Sequence, residues 1–181
     1  ILWSFDQKIS SVTYLYTERG LSIFSGLSNL VSPEVLIITS LVFASILTIS
    51  KKKKWAIFLL ITMSISMLSV ILLKELFAIA RPDLSLISEP GWGFPSGHTT
   101  AVAVFFFSIL FALEETVRDF RLVFLWGFIS FVFVFAIGFS RVYLGVHWFS
   151  DVVAGFALGV FWVTLVALIY EKIHELQTTH S

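Results

Sequence analysis

The sequence contains no cysteine, and only 13% of its 181 residues are charged. The first absence excludes disulfides, thiolate metal sites and thiol redox chemistry. The second is about half the charged content of a soluble domain, which runs near 25%. Hydrophobic residues make up 57% and the mean hydropathy is +0.94. Too little polar surface remains to cover a water-soluble globule, and too many apolar side chains for a disordered chain. Neither sign of charge predominates: twelve Lys and Arg balance twelve Asp and Glu. Net charge therefore points to no nucleic-acid partner. No basic segment precedes an apolar run at the N-terminus, so no secretory leader is expected. What is present is the composition of a membrane protein. The length suits one domain, residues 1–181, with about five or six helical spans of roughly 20 apolar residues each.

Charges bound five apolar stretches: Pro33 to Ser50, Trp55 to Ala80, Thr99 to Leu113, Leu122 to Phe139 and Trp148 to Tyr170. Backbone facing lipid must satisfy its own hydrogen bonds, so these are expected to be helices. The fold class is all-α, a polytopic transmembrane bundle with spans over 33–170 and a cytoplasmic tail over 171–181. Asp6, Lys8, Glu18 and Arg19 exclude a span in residues 1–32. Leu21, Phe24, Leu27 and Val31 recur at helical spacing there, which suits a helix lying along the interface. Trp3, Trp55, Trp92 and Trp148 fall at the boundaries, where an aromatic belt is expected. His174 and His180 are read as solvated tail residues.

Lys51–Lys54 orient the bundle, because positive charge stays in the cytoplasm. With them inside, Arg118, Arg121 and Lys172 bring the inner count to seven. Lys8, Arg19, Lys74, Arg81 and Arg141 make five outside. The last three sit among unusual neighbours. Lys74 precedes Arg81-Pro82 by two helical turns, about 10 Å, which on a continuous helix puts both cations on one face. Snorkelling to water accounts for Arg81 but poorly for the deeper Lys74. Pro95-Ser96-Gly97-His98 reads as a tight turn with Ser96 capping the next helix. Free N–H groups at such a start bind anions. His147 and Asp151 are four apart, one face of a helix, where a carboxylate can fix one imidazole tautomer. All three clusters fall on the outer side. Three cations and backbone donors suit a dianionic phosphate, and two histidines suit a nucleophile and a general acid.

At these residues the sequence resembles the type 2 phosphatidic acid phosphatase superfamily, the membrane lipid phosphatases. Its pattern reads here as Lys74–Arg81-Pro82, Pro95-Ser96-Gly97-His98 and Ser140-Arg141–His147–Asp151, with every spacing kept. The resemblance covers roughly residues 70–155. It implies a helical bundle and metal-independent hydrolysis through a phosphohistidine, with no cofactor. His147 would be the nucleophile, Asp151 its orienting partner and His98 the general acid. Lys74, Arg81 and Arg141 would hold the phosphate, with the Ser96 hydroxyl and the Gly97 N–H. Members commonly have six spans, so a sixth is expected before Ile1. The implied partners are the bilayer and a lipid phosphomonoester or diphosphate: phosphatidylglycerophosphate, phosphatidic acid, undecaprenyl diphosphate or a lipid A-type phosphate. The implied setting is a bacterial inner membrane, with the site facing the periplasm or exterior. The headgroup is expected to touch Ser85–Gly93 and the N-terminal interfacial helix.

Three other readings compete. An anion or lipid transporter could use the same charges, but internal repeats and paired broken helices are absent from the sequence. A vanadate-dependent haloperoxidase shares the phosphate-like pocket, but not the lipid-length spans. A metallohydrolase needs ligand spacing that no His/Asp cluster here provides. Gly155-x-x-x-Gly159 is read as close packing inside the bundle rather than a dimer contact.

Overall fold

The computed structural model describes residues 2–13, 17–117 and 119–179. Ile1, Arg118 and His180, and the side chains of Trp3 and His174, lie outside the description. The described residues form seven helices: α1 (Leu2–Thr13), α2 (Glu18–Leu30), α3 (Pro33–Ile49), α4 (Lys53–Phe77), α5 (Gly97–Thr116), α6 (Phe120–Tyr143) and α7 (Phe149–Thr179). Four of them, α4 to α7, are long and apolar enough to cross a membrane. A fifth span results if α2 and α3, bent by 41° at their junction, are taken as one. The protein is thus an all-helical transmembrane bundle with four to five spans.

The helix starts follow from their caps. Thr17, Ser32 and Ser96 each accept a backbone N–H of the first turn, and Pro33 occupies the first position of α3. Asp119 caps α6. The third span is 20 residues, longer than the 15 read from charge boundaries, because Gly97 and His98 at its start and Glu114, Glu115 and Thr116 at its end are helical.

α5 is the hub. Ala101 to Val104 are fully buried, and the helix packs against α3, α4, α6 and α7. The glycines of α7 permit the closest approach. A Cβ on Gly155 would meet the Ser96 carbonyl at 2.5 Å and one on Gly159 would meet Ala103 Cβ at 2.7 Å. The small-residue motif therefore packs α7 onto α5. On α6, Phe124, Phe128, Phe131 and Phe135 form an exposed stripe at helical spacing, the lipid face.

α2 is amphipathic as expected: Leu27 and Val31 pack on the core, and Phe24 contacts Phe139 and Tyr143. α1 packs on the head of α7. There Asp6 is buried and accepts the Ser150 N–H at 3.0 Å and its hydroxyl at 2.6 Å.

Two expectations are corrected. Trp55 and Trp148 stand at span boundaries, but their rings are buried in protein rather than belting the lipid. The Trp148 indole N–H donates to the Ala80 carbonyl at 2.9 Å. The second span does not reach Ala80. α4 ends at Phe77, and Ala78 adopts the left-handed conformation. The next carbonyls leave the helix because tertiary donors claim them, Gly93 N–H at Ile79 and Trp148 at Ala80. Lys74 and Arg81 therefore do not share one helix face.

Candidate active site

The three sequence clusters converge at the end of the bundle opposite Lys51–Lys54. Lys74, Arg81, Gly97, His98 and His147 line one cavity of about 350 Å³. Pro33, Glu34 and Ile37 of α3 and Met67, Val70 and Ile71 of α4 form the rest of its wall, with Glu89 and Pro90 from the loop. The polar end is thus continuous with an apolar flank on two lipid-contacting helices.

His147 is not on α7. It occupies the turn before it, and only Asp151 is helical. Gly145 makes that turn possible: its φ is +68°, and a Cβ would collide with the Leu84 carbonyl. The turn is pinned by the Leu86 N–H donating to the Leu144 carbonyl. His147 Nδ1 lies 3.2 Å from Asp151 Oδ2, which also accepts the Trp148 N–H at 3.0 Å. The carboxylate thus serves the start of α7 as an N3 acid reaching back to the cap. Gly93 lies against the same oxygen, where a side chain would crowd it at 3.0 Å.

On the other side of the ring, His147 Nε2 is 3.2 Å from Arg81 Nη1. A guanidinium can only donate. Nε2 is therefore the acceptor, and the ring proton belongs on Nδ1, facing Asp151. Burial, then the charges of Arg81, Arg141 and Lys74, push the His147 pKa well below the ordinary 6.5. The ring is neutral, with its Nε2 lone pair on the cavity side.

Arg81 is held in place by the chain around it. Its donors reach the carbonyls of Gly91 (3.0 Å), Val146 (2.7 Å) and Pro90 (3.1 Å). Lys74 Nζ donates to Trp92 O at 2.5 Å and Gly93 O at 3.2 Å. Two of the expected phosphate ligands do not line the cavity. The Ser96 hydroxyl is fully buried and caps α5, accepting from Thr99. Its N–H donates to the Asp151 carbonyl. This leaves the Gly97 and His98 N–H groups as the first-turn donors of that helix. Arg141 is buried behind Glu89, whose Oε2 lies 2.7 Å from its Nη2. The Arg141 Nη1 donates to Ser28 of α2.

Glu89, Glu34 and Ser28 are the residues that motif reading missed. Glu89 and Glu34 stand at no fixed spacing from a motif, and Ser28 is one of several serines on α2. Only the expectation that Ser85–Gly93 and the interfacial helix approach the headgroup pointed near them.

A buried histidine of fixed tautomer thus faces a cation-lined cavity at one end of a membrane bundle. The PAP2 superfamily model matches residues 54–175, and the chain belongs to that superfamily. It is a phosphoric ester hydrolase, a lipid phosphatase. It is 29% identical over 176 residues to phosphatidylglycerophosphatase B of Bacillus subtilis, covering 94% of this chain and 85% of that one. To the lipid A 1-phosphatase of Rhizobium etli it is 33% identical over 128 residues, 64% of this chain and 50% of the relative. Among solved structures it is similar to a transmembrane PAP2-type phosphatidylglycerolphosphate phosphatase from Bacillus subtilis. That similarity has a TM-score of 0.86 at 28% identity, covering 94% of this chain and 87% of the other. The LpxE structure from Aquifex aeolicus shares the fold, with a TM-score of 0.70 at 23% identity over 89% and 93% of the two chains.

Proposed function

We propose that the protein hydrolyses a lipid phosphomonoester or diphosphate, without a metal, through a phosphohistidine on His147. The observation that carries this reading is the Nε2 lone pair of His147, set between the Asp151 carboxylate and the cation-lined cavity. The phosphate is bound by Lys74, Arg81 and Arg141 with the Gly97 N–H, and Ser96 holds the head of α5. As phosphate binds, Arg81 Nη1 passes from Nε2 to a phosphate oxygen, and the freed Nε2 lone pair attacks phosphorus in line. The P–O bond to the lipid breaks as His98 gives its proton to the leaving oxygen. Asp151 stabilises the positive charge that develops on the ring. A water then loses its proton to His98 and attacks the phosphohistidine, and the P–N bond breaks to release inorganic phosphate.

The phosphate lies at headgroup level on the side away from Lys51–Lys54, the periplasmic or exterior face of a bacterial inner membrane. The apolar wall of α3 and α4 supports lateral entry, with the hydrocarbon tails staying in the bilayer. Exposing them would cost about 0.8 kcal/mol per CH₂. The similarity to phosphatidylglycerophosphatase B favours phosphatidylglycerophosphate as the substrate. Phosphatidic acid, undecaprenyl diphosphate and lipid A-type phosphates share the same reacting group.

A panel of these four lipids, offered to purified protein in detergent with and without EDTA, tests the reading. Phosphate release that is unaffected by EDTA and inhibited by vanadate is expected. Loss in EDTA with recovery on adding metal would refute it.

A further inference from the structure

We infer that Ser28 is a positioning residue for Arg141, making helix α2 a structural part of the phosphate site. This rests on the reading above that Arg141 binds phosphate. Arg141 is 1% exposed and Ser28 is fully buried. The guanidinium carries five donors: Nη1 donates to the Ser28 hydroxyl and Nη2 pairs with the Glu89 carboxylate at 2.7 Å. Nε has no hydrogen-bond partner among the described residues. One end of the fork is thus tied to a helix, and the Nε–Nη2 edge is left for a bidentate anion. Glu89 sits on a loop and can give way to a phosphate oxygen. Ser28 need not move, because it holds a different nitrogen.

The place of Ser28 is set by the fold rather than by Arg141. Phe24 packs on Tyr143 with ring centroids 4.6 Å apart and on Phe139 at 5.5 Å. The Tyr143 hydroxyl accepts the Thr17 N–H at 3.1 Å. A Cβ on Gly20 would collide with that hydroxyl. These contacts dock α2 on the last turns of α6, the helix that carries Arg141. Ser28 also precedes the segment that the superfamily model matches, residues 54–175, so the family pattern does not assign it.

The test compares Ser28→Ala with Gly159→Ala, which overpacks α7 on Ala103 of α5 and leaves α2 in place. Each is assayed for KM and kcat on phosphatidic acid, vanadate inhibition and melting temperature in detergent. Ser28→Ala is expected to raise KM and weaken vanadate inhibition by roughly ten- to hundredfold, the range for losing a hydrogen bond to a charged group. Its kcat should change less. Gly159→Ala should lower the melting temperature and leave vanadate inhibition unchanged. Unchanged inhibition in Ser28→Ala, or equal weakening in Gly159→Ala, would overturn the proposal. Ser28→Cys, nearly isosteric with a weaker acceptor, replaces Ser28→Ala if the latter does not purify as a monodisperse protein, with the same outcomes read. Arg141→Ala separates the two levels. If it keeps wild-type vanadate inhibition, the reading of the site itself fails. If it loses inhibition while Ser28→Ala does not, only the positioning role fails.

Discussion

One carboxylate oxygen of Asp151 faces both the Nδ1 of His147, at 3.2 Å, and the backbone N–H of Trp148, at 3.0 Å. The same atom therefore caps α7 and fixes a ring in the turn before it. Helix formation and tautomer selection are one event here. With Arg81 donating on the other side of the ring, the proton is confined to Nδ1.

Asp151→Asn removes the charge while keeping the shape. An amide oxygen at that position can still accept from both Nδ1 and the Trp148 N–H, but it carries no negative charge to stabilise the imidazolium, and an NH₂ there would oppose both N–H groups. Turnover is expected to fall by about 10³- to 10⁴-fold, as when a triad carboxylate is made neutral. KM should change little. Steady-state kinetics with vanadate inhibition as a binding control checks this. A variant within tenfold of wild type would contradict the assignment.

The charge state of His147 is separately measurable. Its pKa is depressed by burial, then by Arg81, Arg141 and Lys74. A depressed histidine binds its proton more readily in the unfolded chain. Folded stability should therefore decline as pH falls below the unfolded value of about 6.5. Histidine ¹⁵N spectra of the unliganded protein, assigned with His147→Ala, should show the neutral Nδ1-H form from pH 8 down to 6. A midpoint near 6.5 for that resonance would be inconsistent with the buried, cation-flanked ring.

Gly155 and Gly159 separate packing from catalysis. Gly155→Ala drives a methyl against the Ser96 carbonyl at the head of α5, beside Gly97 and His98. Gly159→Ala meets Ala103, a turn deeper. Each should cost about 1–3 kcal/mol of stability as overpacking. Gly155→Ala should also lose most activity, whereas Gly159→Ala should retain it at temperatures where it is folded. Thermal denaturation and turnover on the same preparations make the comparison. Full activity in Gly155→Ala would show that the head of α5 tolerates displacement.

The candidate site residues were legible in the sequence because membrane helices otherwise exclude charge. Lys74, Arg81, Arg141, His98, His147 and Asp151 stood out against apolar surroundings, and their spacing matched a family pattern. Helix limits were less legible. The stop at Phe77 depends on the Gly93 N–H and the Trp148 indole taking carbonyls from the following residues, and both donors are distant in sequence. The burial of Trp55 and Trp148 depends likewise on neighbours that a boundary position does not specify. Glu89 and Ser28 escaped notice because one acid in a loop and one serine among several carry no periodic signal. Their contacts with Arg141 are visible only in the folded chain.

Orientation can be tested in the Cys-free background. A cysteine at Ser88, in the loop before the Pro95-Ser96-Gly97-His98 turn, should react with an impermeant thiol reagent on intact cells, after outer-membrane permeabilisation where needed. A cysteine at Thr116, at the opposite end of α5, should react only after lysis. The reverse pattern would place the site in the cytoplasm and leave the reaction chemistry untouched.

The central claim is a covalent phosphate on His147, and rapid quench with ³²P-labelled phosphatidic acid tests it most directly. Wild-type protein should show an acid-labile, base-stable labelled species that precedes phosphate release. His98→Ala should form it more slowly from the natural lipid and faster from a substrate with an activated leaving group. His147→Ala should show no labelled species and no turnover. Label retained in His147→Ala, or wild-type turnover with no labelled species under conditions that trap an authentic phosphohistidine, would contradict the account.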